Sequence, residues 1–151
     1  MTIYRERLWP GPWLFISTAL VIPATLLVFL PINRTVGAVA AIALYAGCVT
    51  LLLLASPVVE VTDSEFRAGR ARLPLAAVGA VDRFEGSEAT LERGQRLDAR
   101  AWLMIRGWID PLVRIEVQDD NDPVPYWIVS TRRPKKLAEA IAEASSRTPG
   151  K

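Results

Sequence analysis

Residues 13–30, WLFISTALVIPATLLVFL, and residues 36–55, VGAVAAIALYAGCVTLLLLA, decide the fold of this chain. Neither run contains a charged residue, and only Pro31-Ile32-Asn33-Arg34-Thr35 separates them. At ~1.5 Å of rise per residue, helices of this length span roughly 27–30 Å, about the hydrocarbon thickness of a bilayer. A helix on the surface of a soluble protein keeps a polar face, and neither run has one. The pair predicts a transmembrane helical hairpin over residues 13–57, with spans at about 13–30 and 36–55. Pro23 removes one backbone hydrogen bond in mid-span, which predicts a kink that a helix in lipid tolerates. The second run is rich in small residues, and Ala43 and Gly47 form a small-xxx-small step that permits close helix approach. Packing within the hairpin is the favoured use of that step. A homo-oligomer seam through the second span is the alternative.

Working outward, residues 1–12, MTIYRERLWPGP, read as a short cytoplasmic arm. Trp9 and Trp13 bracket Pro10-Gly11-Pro12 as expected anchors at the membrane interface. Ala38-Val39-Ala40 resembles a signal-peptide cleavage site. The apolar run is longer than a signal core, however, and a second span follows at once, so the segment is expected to remain. Arg5 and Arg7 before the hairpin and Arg67, Arg70 and Arg72 after it outnumber Arg34 in the loop. The positive-inside rule then puts both termini in the cytoplasm.

Residues 58–151 suffice for one small domain with its own core. Apart from Arg5, Glu6, Arg7 and Arg34, all charges fall there and cancel, so the net charge of +2 arises in the N-terminal third. A neutral domain is not the strongly basic one that nucleic-acid binding requires. The one cysteine, Cys48, lies in the second apolar run and has no intrachain partner for a disulfide. Histidine is absent, which removes the commonest general base and the commonest metal ligand. No catalytic or cofactor motif stands out. The expectation is a non-enzymatic protein with no cofactor and no metal.

After Pro57 the apolar period changes to two. Val59 and Val61 alternate with polar residues, and Asp63-Ser64 offers a turn before a partner strand over residues 65–73, EFRAGRARL. Residues 74–81 read as a helical turn leading into a short strand through Phe84, and the polar residues 86–98 as a loop, with a helical turn within it as the alternative. Three clearer strands follow, over residues 99–106, 113–119 and 124–131. An amphipathic helix from about Pro134 to Ser145 closes the chain, with Leu137, Ile141 and Ala144 on its apolar stripe and Ser130 or Thr131 capping it. A meander of strands closed by one helix predicts an α+β domain, an antiparallel sheet or partial barrel similar to pleckstrin-homology-like domains.

The arm YRERLWPGPW, the two apolar runs, EVTDSEFRAGRARLPLAAVGAV and DARAWLMIRGWIDPLVRIEVQDDNDPVPYWIVSTRRPKKLAEAI together resemble one family. It is a family of uncharacterised actinobacterial two-helix membrane proteins, domain of unknown function 3093. The likeness runs over residues 4–142 and is most specific at residues 126–134, YWIVSTRRP. It implies a bacterial plasma-membrane location and carries no activity and no site residue with it.

Among side chains that could carry chemistry, Asp119, Asp120 and Asp122 lack the glycine and distal glutamate of a calcium loop and read as a hairpin turn. Glu85 and Glu88 read as solvated loop charges. The basic residues Arg67, Arg70 and Arg72 after the hairpin, with Arg132, Arg133, Lys135 and Lys136 at the start of the last helix, are the candidate lipid or partner surface. Cations at a helix N-terminus oppose its dipole, which calls for an anion nearby. Juxtamembrane Lys and Arg gain on the order of 1 kcal/mol each from anionic lipid. Trp102, Trp108, Tyr126 and Trp127 are a large aromatic load, read as core with a contact surface as the alternative. No charge lies inside either span, which argues against an ion-coupled transporter. Two functions remain: a bilayer-anchored domain that binds a protein partner, or one that reads anionic headgroups or senses the state of the envelope.

Overall fold

The computed structural model describes residues 1–147, which divide into two compact units. One comprises residues 9–56 and the other residues 1–8 with residues from 57 onward.

The first unit is the apolar hairpin. Its helices are α1 (Pro12–Ala19), α2 (Val21–Phe29) and α3 (Arg34–Leu54). The break at Leu20 follows from Pro23, whose missing N–H leaves the carbonyl of Ala19, four residues back, without its helical donor. Asn33 starts α3 by accepting hydrogen bonds from the N–H groups of Thr35 and Val36 at 2.9 and 3.2 Å. By length and composition both arms of the hairpin can cross a membrane. Their apolar surface is largely bare, with Ile16, Leu27, Val39, Ile42 and Leu51 each more than 60% exposed. The close approach within the hairpin uses Gly37 and Ala41, the buried residues of α3. A side chain at Gly37 would meet Phe29 Cβ at 3.0 Å. Ala43 and Gly47, expected to make that contact, are exposed, so the small-residue step that packs lies on another face of α3.

The second unit begins with a strand where the sequence suggests an arm. β1 (Thr2–Arg7) pairs antiparallel with β2 (Val58–Thr62), with Arg7 opposite Val58 and Arg5 opposite Glu60. The physical reason is alternation. Tyr4, Glu6 and Leu8 turn inward while Arg5 and Arg7 face out, and Leu8 is fully buried. The boundary of the arm at residue 12 therefore moves to Leu8.

β3 (Glu65–Ala68) and β4 (Ala71–Pro74) complete a four-stranded meander, order β1-β2-β3-β4. The single strand expected over 65–73 is thus a hairpin, turned at Gly69 with φ +61°. A side chain in that left-handed conformation costs about 1–2 kcal/mol. Gly69→Ala is expected to lower stability by about that amount, measured by urea unfolding. Its sign would be wrong if the melt were unchanged.

A 3-10 turn (Leu75–Ala77) leads to β5 (Val78–Phe84), followed by α4 (Gly86–Arg93), β6 (Trp102–Met104), β7 (Leu112–Val117), β8 (Tyr126–Ser130) and α5 (Pro134–Arg147). The second sheet has the order β5-β7-β8-β6. β6 runs parallel to β8, which a simple meander does not predict. Every residue of β8 is buried because both its faces are covered. Trp127 and Val129 join the main core with Val59, Val61, Phe66, Leu137 and Ile141. Tyr126 and Ile128 meet Leu112 and Ala89 of α4 in a smaller core on the opposite face. The aromatic load is chiefly core: Trp102 stacks on Trp127 with centroids 4.2 Å apart, and Trp108 donates to the carbonyl of Leu8 at 3.3 Å.

Candidate functional site

The first group of expected basic residues lies on the outer face of the β1–β4 sheet. Register places Arg5, Glu60, Arg67 and Arg72 in one row across four strands, since residues directly opposite project to the same face. Arg7 follows Arg5 on that face by alternation, and Arg70 sits in the exposed turn after Gly69. Arg67 is ion-paired with Glu65, and Thr2 donates to Glu60 at 2.7 Å. Arg67 and Arg72 are nevertheless like charges facing each other across a strand pair, an unfavourable juxtaposition that a further anion would relieve. Arg5 and Arg7 belong to this surface although their sequence position suggested only an orienting role; strand alternation in TIYRER was the signal for it.

Arg132, Arg133, Lys135 and Lys136 form a separate group at the start of α5. The anion that their position calls for is supplied from within. Glu6, only 9% exposed, accepts hydrogen bonds from the Tyr4 hydroxyl at 2.7 Å, the Thr131 hydroxyl at 2.5 Å and the Arg132 N–H at 3.0 Å. Thr131 in turn accepts from the N–H of Arg133 at 3.1 Å, so it organises the helix entry, whereas the Ser130 hydroxyl accepts from Arg106 instead. Burial pushes the Tyr4 phenol up to about 12, reinforced by its hydrogen bond to Glu6. A phenol raised in the folded state stabilises it below the ordinary value near 10, and that contribution is lost as pH rises through about 12. A late phenol ionisation near pH 12 is therefore expected in an alkaline absorbance titration, with unfolding accelerating between pH 10 and 12. Tyr4→Phe should delete that late step; its persistence would move the assignment to another tyrosine.

Several charges elsewhere are committed to structure. Asp110 accepts from Gly86 N–H at 2.7 Å and pairs with Arg93 at 2.9 Å, tying both ends of α4. Those two contacts, the N–H first, hold its carboxyl below the usual range. Arg100 does the same for Asp98. Glu92, 2% exposed, meets Arg96 at 3.2 Å and Arg114 at 3.3 Å, and Arg114 lies 4.6 Å over the Tyr126 ring. Residues 86–98 therefore hold a helix whose buried carboxylate is neutralised by a strand far along the chain. Glu88 pairs with Arg96 at 2.8 Å. Asp119 and Asp122 accept turn N–H groups from Asn121 and Val124 at 3.0 and 2.9 Å.

One concave feature was not legible in the sequence. A depression of about 540 Å³ runs between β5 and α5, lined by Val81, Arg83, Lys135, Ile141, Ala142 and Ser145 among others. A second, of about 470 Å³, continues past Arg83 to Phe84, Glu85 and Glu88. Trp9 and Trp13, the expected interface anchors, are 44% and 73% exposed in the hairpin unit.

Neither the curated proteins nor the solved structures contain a match to this chain. A family described as "Protein of unknown function (DUF3093)" matches residues 3–141. That match takes in both the hairpin and nearly all of the domain, and the chain belongs to this family.

Proposed function

We propose that this protein is a bilayer-anchored, non-enzymatic interaction module. The apolar hairpin holds the folded domain at a bacterial plasma membrane, and the domain engages a protein partner there. The observation that carries the reading is topological: the hairpin is inserted between two hydrogen-bonded neighbours of one sheet, β1 and β2. Strands that share a ladder share an aqueous side, so both ends of the hairpin emerge together, and Arg5, Arg7, Arg67 and Arg72 favour the cytoplasm for that side. Within the domain, the two points where the chain leaves for and returns from the hairpin are joined, since the Leu8 N–H bonds the Pro57 carbonyl at 2.9 Å. Trp9 and Trp13 would sit at the headgroup level. The same reading takes the two four-stranded sheets and α5 as a pleckstrin-homology-like arrangement, modified by the parallel β6.

The test is crosslinked purification of the tagged full chain from its native membrane. A stoichiometric partner is expected; recovery of lipid alone would end the partner reading. A second reading, contact with anionic headgroups, is favoured by the facing Arg67 and Arg72. It predicts binding to anionic vesicles that weakens steeply with salt. Unchanged binding after Arg67→Gln and Arg72→Gln together would refute it.

A further inference from the structure

The edge of β5 and the groove beside it form a surface that the structural roles above leave unused. β5 ends the second sheet, so one side of its backbone ladder meets no strand among the described residues. Its pairing with β7 is irregular between Val78 and Val81 and regular from Val81 to Phe84. A bulge blunts an edge against unwanted pairing. Here it protects only the first half of the strand and leaves about four residues able to accept another. Along that half, Val81 and Arg83 alternate toward the groove that α5 walls on the far side.

The groove has the chemistry of a side-chain pocket set beside a free ladder. Val81, Ile141 and Ala142 give it an apolar floor. Ser145 Oγ is buried there without a hydrogen-bond partner among the described residues, which is costly unless a ligand supplies one. Arg83 is exposed and forms no ion pair among the described residues. Lys135 reaches Glu139 only at 3.9 Å, with both side chains mostly in solvent. Within the groove Arg83 and Lys135 outnumber Glu139, which leaves one positive charge there, while Glu85 and Glu88 line the second depression beyond Arg83. The depressions on either side of Arg83 together follow the strand, a shape suited to an extended chain.

We propose that β5 takes up an extended peptide of a partner protein as an added strand, with an apolar side chain over Val81 and Ile141 and an acidic side chain on Arg83 and Lys135. Main-chain hydrogen bonds along Val81–Phe84 supply sequence-independent affinity, and the pocket and the cations supply selectivity. This rests on the interaction reading above and names its partner class.

The test uses the full chain in nanodiscs of neutral lipid and a displayed library of random peptides of about seven residues, long enough for one strand. Selected peptides are expected to carry Asp or Glu alternating with apolar residues. Arg83→Glu is expected to weaken them about ten-fold or more, as for a paired interfacial charge. Replacing the peptide's acid by Lys should restore binding to that variant. Methylating alternate peptide amide nitrogens should abolish binding, because a methylated nitrogen donates no ladder hydrogen bond. A thermal melt of Arg83→Glu matching the parent excludes misfolding as the cause. The proposal falls if no peptide is selected, if Arg83→Glu leaves affinity unchanged, if methylation is tolerated, or if β5 proves to pair with a second copy. Repeating the native-membrane crosslinking with Arg83→Glu separates the two claims. A partner retained by the variant overturns the β5 site and keeps the interaction reading. A parent chain that captures no partner overturns the interaction reading, and the library result still decides the groove.

Discussion

Removing residues 9–56 and joining Leu8 to Pro57 through about four Gly and Ser residues, an ordinary loop length, is expected to give a water-soluble domain that unfolds cooperatively. The Leu8 N–H already bonds the Pro57 carbonyl at 2.9 Å, so the link spans a gap that the fold itself has closed. A chain beginning at Pro57 is expected to fail. It lacks the strand beside β2, the fully buried Leu8 and the Glu6 carboxylate. Leu8 alone contributes roughly 1.5–3 kcal/mol by burial, and the contacts of Glu6 add about 3 kcal/mol. Together these take up much of the ~5–15 kcal/mol that holds a small domain folded. Circular dichroism melts and dispersion in amide NMR spectra of the two chains distinguish the outcomes. If the chain from Pro57 folded as stably as the linked one, β1 would be an ornament and not a part of the core.

Glu6→Ala is expected to cost about 3–4 kcal/mol, because three donors that converge on the carboxylate lose their acceptor in a buried place. Glu6→Gln keeps the shape but turns an amide toward one donor, and its cost should be smaller, about 2 kcal/mol. The order Ala worse than Gln worse than parent, read from urea midpoints at constant slope, is the signature of the network. Equal stability of all three would mean that water satisfies the donors. Combining Glu6→Gln with Thr131→Val should cost less than the sum of the two, since both act on one hydrogen bond.

The apolar hairpin was legible because composition alone carries it, and β7, β8 and α5 were legible because their apolar residues keep a clean period. What escaped did so for physical reasons that can be named. β1 hides because two of its inward positions are Tyr4 and Glu6, polar groups satisfied by Thr131 and Arg132 from the far end of the chain. Its alternation of Tyr4, Glu6 and Leu8 against Arg5 and Arg7 was a usable signal. α4 showed only as the alternative of a helical turn within a loop, because its buried face is only Ala89 and Glu92, and the carboxylate becomes tolerable once Arg114 arrives from β7. The row of Arg5, Arg67 and Arg72 depends on register across strands, which no single stretch encodes. The basic residues before α5 were placed correctly along the chain, but their anion is internal, so the dipole argument for an outside partner there no longer holds. The groove along β5 needed the sheet order, because a strand's position at an edge is not written in its own residues.

On the proposed membrane topology, the separation of β1 from β2 by the whole hairpin would make the domain a checkpoint on its own biogenesis. A ribosome releases β1 first, and its ladder partner follows only after both apolar helices have been made. If one helix fails to cross the membrane, β1 and β2 finish on opposite sides and the ladder never forms. The stranded domain then leaves the hydrophobic side of Val59, Val61 and Phe66 without its neighbour, a surface of the kind that proteases and chaperones act on. If the hairpin spans a bilayer as proposed, correct insertion would be read out as foldedness, and a chain with the wrong topology would mark itself for removal.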